Sequence, residues 1–128
     1  MYSFSVTLDL PVDEAIDRLK AVLQAHHLGI VSDVDVQKIV KAKLGEDMPA
    51  YRILGACNPK LAKRVLGAQP EAGTLLPCNI VVRAEGEGSV IHFMDPEPVL
   101  ALANDAEIEA VAREAKTMLQ AVAADLQG

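Results

Sequence analysis

The chain has 128 residues, of which 51% are hydrophobic and 23% are charged, and its formal net charge at pH 7 is −6. This length and apolar content predict one folded domain and exclude a disordered chain. The negative charge and the scarcity of aromatic residues argue against nucleic-acid binding. No apolar run approaches the roughly 20 residues of a membrane span. The N-terminus lacks the features of a signal peptide, so we expect a cytoplasmic protein with reduced cysteines.

The first part of the chain predicts two strand–helix units. Tyr2–Leu8 alternates apolar and polar residues, which is typical of a strand, and Pro11 begins an amphipathic helix that Gly29 is expected to end. A second strand is predicted over Leu28–Val36, followed by a short lysine-rich helix that closes at Gly45.

Two pairs of polar residues in this part could hold a metal ion. Adjacent histidines, His26 and His27, do not share a helix face, so we interpret them as helix-end residues. Asp33 and Asp35 share a strand face but have no third ligand nearby, and we interpret them as a solvated strand edge.

The middle of the chain, Tyr51–Asn79, contains both cysteines, and an asparagine follows each of them. Tyr51 to Cys57 alternates as a strand, after which Asn58 is a favourable N-cap and Pro59 a favourable first helical residue. Cys57 therefore lies beside the positive end of a helix dipole, a position that favours the thiolate.

A β-hairpin is predicted around Gly86-Glu87-Gly88, between strands Cys78–Glu85 and Ser89–Asp95. A two-residue turn at Gly86-Glu87 would fix the register of the two strands, whereas a three-residue turn would shift it. The pairs that it predicts are Glu85 with Gly88, Val82 with Ile91, Ile80 with Phe93 and Cys78 with Asp95. The second face of this hairpin, with Val81, Val90 and Met94, is too apolar for solvent, so we expect a homodimer through this face or through an exposed strand edge.

The C-terminal part predicts a long amphipathic helix, capped by Asn104 with Glu107 three residues on. Its apolar stripe runs from Ile108 to Leu126 at helical spacing. The whole chain, residues 1–128, therefore predicts a single two-layer α+β domain. Its sheet is expected to be antiparallel or mixed, with helices mainly on one face and the order β-α-β-α-β-α-β-β-α.

Two cysteine motifs in order, Cys57-Asn-Pro-Lys-Leu-Ala and Leu75-Leu-Pro-Cys-Asn-Ile-Val-Val, followed by Asp95-Pro96, carry a family resemblance. Over nearly its whole length the chain resembles the bacterial and archaeal family called domain of unknown function 302. The resemblance implies a compact α/β domain with an antiparallel sheet, often dimeric, and it implies no activity.

The candidate ligand-binding residues are Cys57, Asn58, Cys78, Asn79 and Asp95. We expect a non-enzymatic module that binds a small molecule or a soft metal ion such as Cu(I), for which the two cysteines are the candidate ligands. One alternative is a thiol-dependent enzyme or sulfur carrier with Cys57 as nucleophile; another is an interaction domain without chemistry. The sequence identifies no catalytic residue and no cofactor.

Buried cysteines also often only pack, and the sequence leaves open whether these two meet. A parallel crossover between their strands would separate them by a strand length, whereas an antiparallel arrangement would bring them together.

Overall fold

Five antiparallel strands form one sheet in the order β1-β5-β4-β3-β2 in the computed structural model, which describes residues 1–128. The strands are β1 (Ser3–Leu8), β2 (Gly29–Asp35), β3 (Tyr51–Cys57), β4 (Cys78–Glu85) and β5 (Gly88–Met94). The helices are α1 (Val12–Ala25), α2 (Val36–Leu44), α3 (Pro59–Ala68), α4 (Pro96–Leu100) and α5 (Ala106–Gln127). Short 3-10 helices lie at Pro70–Leu75 and Ala101–Ala103. The predicted α+β class and element order are confirmed, and the sheet is purely antiparallel.

The apolar residues form two separate clusters. The larger one joins one face of the sheet to α1 and the C-terminal half of α5, and its fully buried members include Leu19, Ile80, Val82, Ile91, Phe93 and Leu119. The smaller one lies among α3, α4, α5 and the first 3-10 helix, around Val65, Ala72, Leu100 and Ile108. The 22-residue helix α5 contributes to both clusters. The buried side chains of its first half, from Ile108 to Ala112, belong to the smaller cluster, and those from Leu119 to Leu126 belong to the larger one.

The predicted hairpin register is confirmed over most of its length. Glu85 pairs with Gly88, Val82 with Ile91 and Ile80 with Phe93, and the ladder between β4 and β5 ends at this last pair. Gly86 has φ +59°, a left-handed conformation that the turn requires and that glycine adopts without strain.

The second face of the hairpin is less exposed than the sequence suggested. Val81 and Met94 are half-buried and Val90 is buried within the single chain. Exposed apolar side chains are instead concentrated in β2 and α2. They are Val31, Val34, Ile39 and Leu44, which are between 42% and 66% exposed. Helix α2 buries none of its own residues.

Two helix ends differ from the predicted ones. The side chain of Asp105, not Asn104, caps α5 by accepting a hydrogen bond from the backbone N–H of Ile108. Asn104 has φ +50° and ends the preceding 3-10 helix. Helix α1 ends at Ala25, where His27 rather than Gly29 takes the left-handed conformation, and Gly29 already belongs to β2.

Three of the four side chains in the two polar pairs have partners within the protein. Nε2 of His26 lies 2.5 Å from Oδ2 of Asp125 on α5, which agrees with the interpretation of His26 as a helix-end residue. Asp33 binds the guanidinium of Arg52 on β3, which lowers the pKa of the Asp33 carboxyl. Asp35 caps α2 by accepting from the backbone N–H of Lys38. The two aspartates are therefore not simply a solvated edge. No helix in the structure combines the length and the apolar composition that a membrane crossing requires.

Replacing Leu119 by alanine should lower the free energy of unfolding by roughly 2–5 kcal/mol, because this α5 side chain is 1% exposed within the larger cluster. Leu102→Ala is the matched control, since Leu102 is 76% exposed and its loss should cost less than about 0.5 kcal/mol. Urea unfolding of both variants measures the difference. Equal losses in the two variants would show that α5 does not pack as described.

Candidate functional site

A cavity of about 310 Å³ lies where the two clusters meet, and both cysteines line it. We call it the thiol cavity. Its floor is formed by the adjoining ends of β3 and β4, with Ala56, Cys57 and Cys78. Its walls come from α3 and α5 and consist of small and branched aliphatic side chains. They include Leu61, Ala62 and Val65 of α3 and Val111, Ala115 and Leu119 of α5.

The cysteines come together because β3 and β4 are antiparallel neighbours. Cys78, the first residue of β4, pairs with Ala56, and Cys57 is the next residue along β3. The connection through α3 and the first 3-10 helix therefore returns the chain to the strand end that it left. This is the antiparallel arrangement that the sequence left open. Both thiols are free in the structure.

A close contact between Gly55 and Pro77 accompanies this return. A Cβ added to Gly55 would lie 2.5 Å from Cγ of Pro77 and 2.3 Å from Oγ of Ser32 on β2. Glycine leaves room for the Pro77 ring and the Ser32 hydroxyl over residue 55, and a side chain there would displace the proline ring that precedes β4. The Gly55–Pro77 contact thus lies directly beside the Ala56–Cys78 pair that brings the two cysteines to one strand end.

Asn58 organises the start of α3. Its side-chain oxygen accepts hydrogen bonds from the backbone N–H groups of Lys60 and Leu61, at 3.0 and 3.2 Å. Its side-chain nitrogen donates to the carbonyl oxygen of His27, 3.0 Å away. Pro59 has no N–H, so the N–H groups at the start of the helix are either missing or already bonded. Beside Cys57, the positive end of the helix dipole therefore offers no free N–H group at Lys60 or Leu61 to stabilise a thiolate.

Both thiols favour the neutral form. Burial raises the pKa of the half-buried Cys57 thiol above its ordinary value. Burial, and secondarily the charge that a Cys57 thiolate would carry, raise the pKa of Cys78 to about 11. This coupling is a further sign that the two side chains are close. Near neutral pH the thiol cavity therefore contains two uncharged thiols, and at Cys57 burial opposes the acidifying effect expected from the start of α3.

The other two candidate residues lie outside the thiol cavity. Asn79 is exposed and pairs with Gly55, and it lines a separate groove with Tyr2, Tyr51 and His92 on the opposite face of the sheet. Alternation along β4 explains this, because neighbours in a strand point to opposite faces.

Asp95 is engaged elsewhere. Its carboxylate caps α4 by accepting from the backbone N–H of Glu97, and it forms an ion pair with Lys116 at 3.0 Å. Because the β4–β5 ladder ends at Ile80 and Phe93, the predicted pairing of Cys78 with Asp95 does not form. The predicted five-residue site is thus reduced to Cys57, Asn58 and Cys78 in the cavity.

Sequence reasoning missed the aliphatic walls of the cavity. Residues such as Val65 and Leu119 are spaced as ordinary core positions, and nothing in a single sequence distinguishes a core residue from a cavity wall. No group of three or more histidine, cysteine, aspartate or glutamate side chains is placed to hold a metal ion.

Comparison with known proteins gives a family without an activity. A family model described as "Domain of unknown function DUF302" matches residues 4–126. A crystal structure of an uncharacterized conserved DUF302 protein from Bacillus stearothermophilus superposes with a TM-score of 0.88 at 27% sequence identity, over 98% of each chain. No match was found among curated proteins.

Alkylation should be faster at Cys57 than at Cys78. At pH 8 the thiolate fraction of a group with a pKa of about 11 is about a hundredth of that of a thiol with the ordinary value of 9.0. Iodoacetamide labelling of Cys57→Ser and Cys78→Ser, each with one remaining thiol, measures the two rates. The Cys78 rate should keep rising to about pH 11. Faster labelling of Cys78, or a plateau below pH 9, would contradict the buried neutral thiol.

Proposed function

The chain belongs to the DUF302 family, whose description names no activity, and we propose that it is a non-enzymatic module that binds a small apolar molecule in the thiol cavity. The cavity itself is the observation that carries this proposal. It is large, it is almost entirely apolar, and it lies between two packed clusters where a continuous core would otherwise form.

The apolar walls of the cavity support a ligand. Aliphatic surface that remains in contact with water gains stability when an apolar molecule covers it, at roughly 25 cal/mol for each Å² buried. Larger side chains at Ala62 or Ala115 would fill the space, so the small residues there favour a binding role over a purely structural one.

A thiol-dependent reaction is less well supported. A nucleophilic cysteine needs a lowered pKa or an adjacent base, whereas burial raises the pKa of Cys57 and no charged partner offsets it. The cavity walls also supply no histidine or carboxylate to accept the thiol proton.

A soft metal ion is also less favoured than an organic ligand. Two thiolates around Cu(I) would form a complex of net charge −1, and no lysine or arginine lines the cavity to balance that charge. The high pKa of Cys78 adds the work of removing its proton. A neutral organic molecule has neither cost.

Filling the cavity should abolish ligand binding without unfolding the protein. The probe is N-phenyl-1-naphthylamine, an uncharged dye that fluoresces in apolar surroundings. Ala62→Phe should weaken dye binding at least tenfold, because the ring occupies the space between α3 and α5. The melting temperature should stay the same or rise.

The matched control is Ala124→Phe, which adds the same ring at an exposed position of α5 and should leave dye binding unchanged. Equal dye binding by the wild type and Ala62→Phe would place the dye elsewhere and contradict the proposal.

We also propose that two copies associate through the edge strand β2 and helix α2. Four of the eight exposed large hydrophobic residues lie in this segment. β2 has a sheet partner on one side only, so its backbone can extend the ladder into a second chain. Helix α2 has nine residues and buries none of them, so it is only marginally stable by itself. Packing against a second copy of the chain would stabilise it. Both roles are proposed for a reducing compartment such as the cytoplasm, where free thiols persist.

Sedimentation at micromolar concentration should give about twice the chain mass of 13.7 kDa. Ile39→Lys and Val31→Lys should shift the protein to a monomer with little loss of stability, since both side chains are exposed in the single chain. Leu102→Lys, outside this segment, should remain a dimer. A monomeric wild-type protein would refute this interface. So would a dimer that persists in all three lysine variants.

A further inference from the structure

The hydrogen-bonding groups of the thiol cavity are few and mostly occupied. Only Cys57, Asn58 and Cys78 contribute polar side chains to its lining, and no charged side chain reaches it. Both acceptor sites of the Asn58 oxygen are used by Lys60 and Leu61, and its nitrogen already donates to His27. The free polar side-chain groups are therefore one amide N–H and two neutral thiols, which are weak donors.

This set of groups disfavours the binding of charged ligands. A carboxylate, phosphate or ammonium group placed against the aliphatic walls of the cavity would lose much of its water and gain no counter-charge, which makes its burial costly. A single hydroxyl or carbonyl oxygen of a ligand can accept a hydrogen bond from the Asn58 N–H or from a thiol. The apolar remainder of a ligand would contact the aliphatic side chains of α3 and α5, among which there is no aromatic ring.

We infer that the ligand of the thiol cavity is an uncharged, largely aliphatic molecule that carries at most one alcohol- or carbonyl-type oxygen. This inference rests on the proposed binding function and names the chemical class that the site accepts. A space of about 310 Å³ is within the range of small-molecule pockets and accommodates a chain of medium length, such as an eight-carbon alcohol.

The test compares 1-octanol with octanoate, which share a chain length and differ in charge. Calorimetry and thermal shift at pH 7.5 should show 1-octanol binding at least a hundredfold more tightly than octanoate. Octanoate binding as tightly as the alcohol, while the uncharged dye still binds, would overturn this inference and leave the proposed function standing. If the dye, 1-octanol and octanoate all fail to bind, the proposed function is overturned together with the inference.

A variant pair tests the cause of the selectivity. Leu66→Lys places a positive charge at the exposed edge of the α3 wall, whereas Leu66→Met keeps an uncharged side chain of similar size at the same position, which is 42% exposed. The ratio of octanol to octanoate affinity should fall at least tenfold in Leu66→Lys relative to Leu66→Met. Thermal unfolding verifies that both variants fold. An unchanged ratio would mean that missing counter-charge does not set the selectivity, and would overturn the inference.

Discussion

The packing of Pro77 against Gly55 lies directly beside the Ala56–Cys78 strand pair on which the candidate site is built. Because residue 55 has no side chain, the ring of Pro77 can lie over β3 just before β4 begins, where a Cβ would be 2.5 Å from Cγ of the proline. The next residue, Cys78, pairs with Ala56, and this antiparallel pairing brings the two cysteines to the same end of neighbouring strands. The floor of the thiol cavity therefore depends on the pairing of β3 with β4, beside which the Gly55–Pro77 contact lies.

The walls of the cavity follow from the length of α5. Its first half packs against α3 and α4, and its second half packs against the sheet and α1, so the helix joins two clusters that do not merge. The unfilled space lies at their junction, and burial beside its aliphatic lining raises the pKa of both thiols. The same lining that argues against thiolate chemistry favours the binding of an uncharged molecule.

Local signals account for what the sequence predicted correctly. The Gly86-Glu87 turn determined the hairpin register, and Asn58-Pro59 determined the start of α3, because both depend on neighbouring residues alone. The position of the cavity depends on how α3 and α5 approach each other, and Val65 and Leu119 carry no local sign of that. The predicted roles of Asn79 and Asp95 did not fit the cavity for physical reasons. Strand alternation turns Asn79 to the other face, and Lys116 with the start of α4 engages Asp95.

A crystal structure of the protein with 1-octanol tests the central claim most directly, because it locates the ligand without relying on any variant. The account predicts electron density for one octanol molecule between α3 and α5, in contact with Leu61 and Leu119. The octanol oxygen should lie near Asn58 or the two thiols. Density only in the groove beside Tyr51 and His92, or a cavity closed by movement of α3 onto α5, would contradict it.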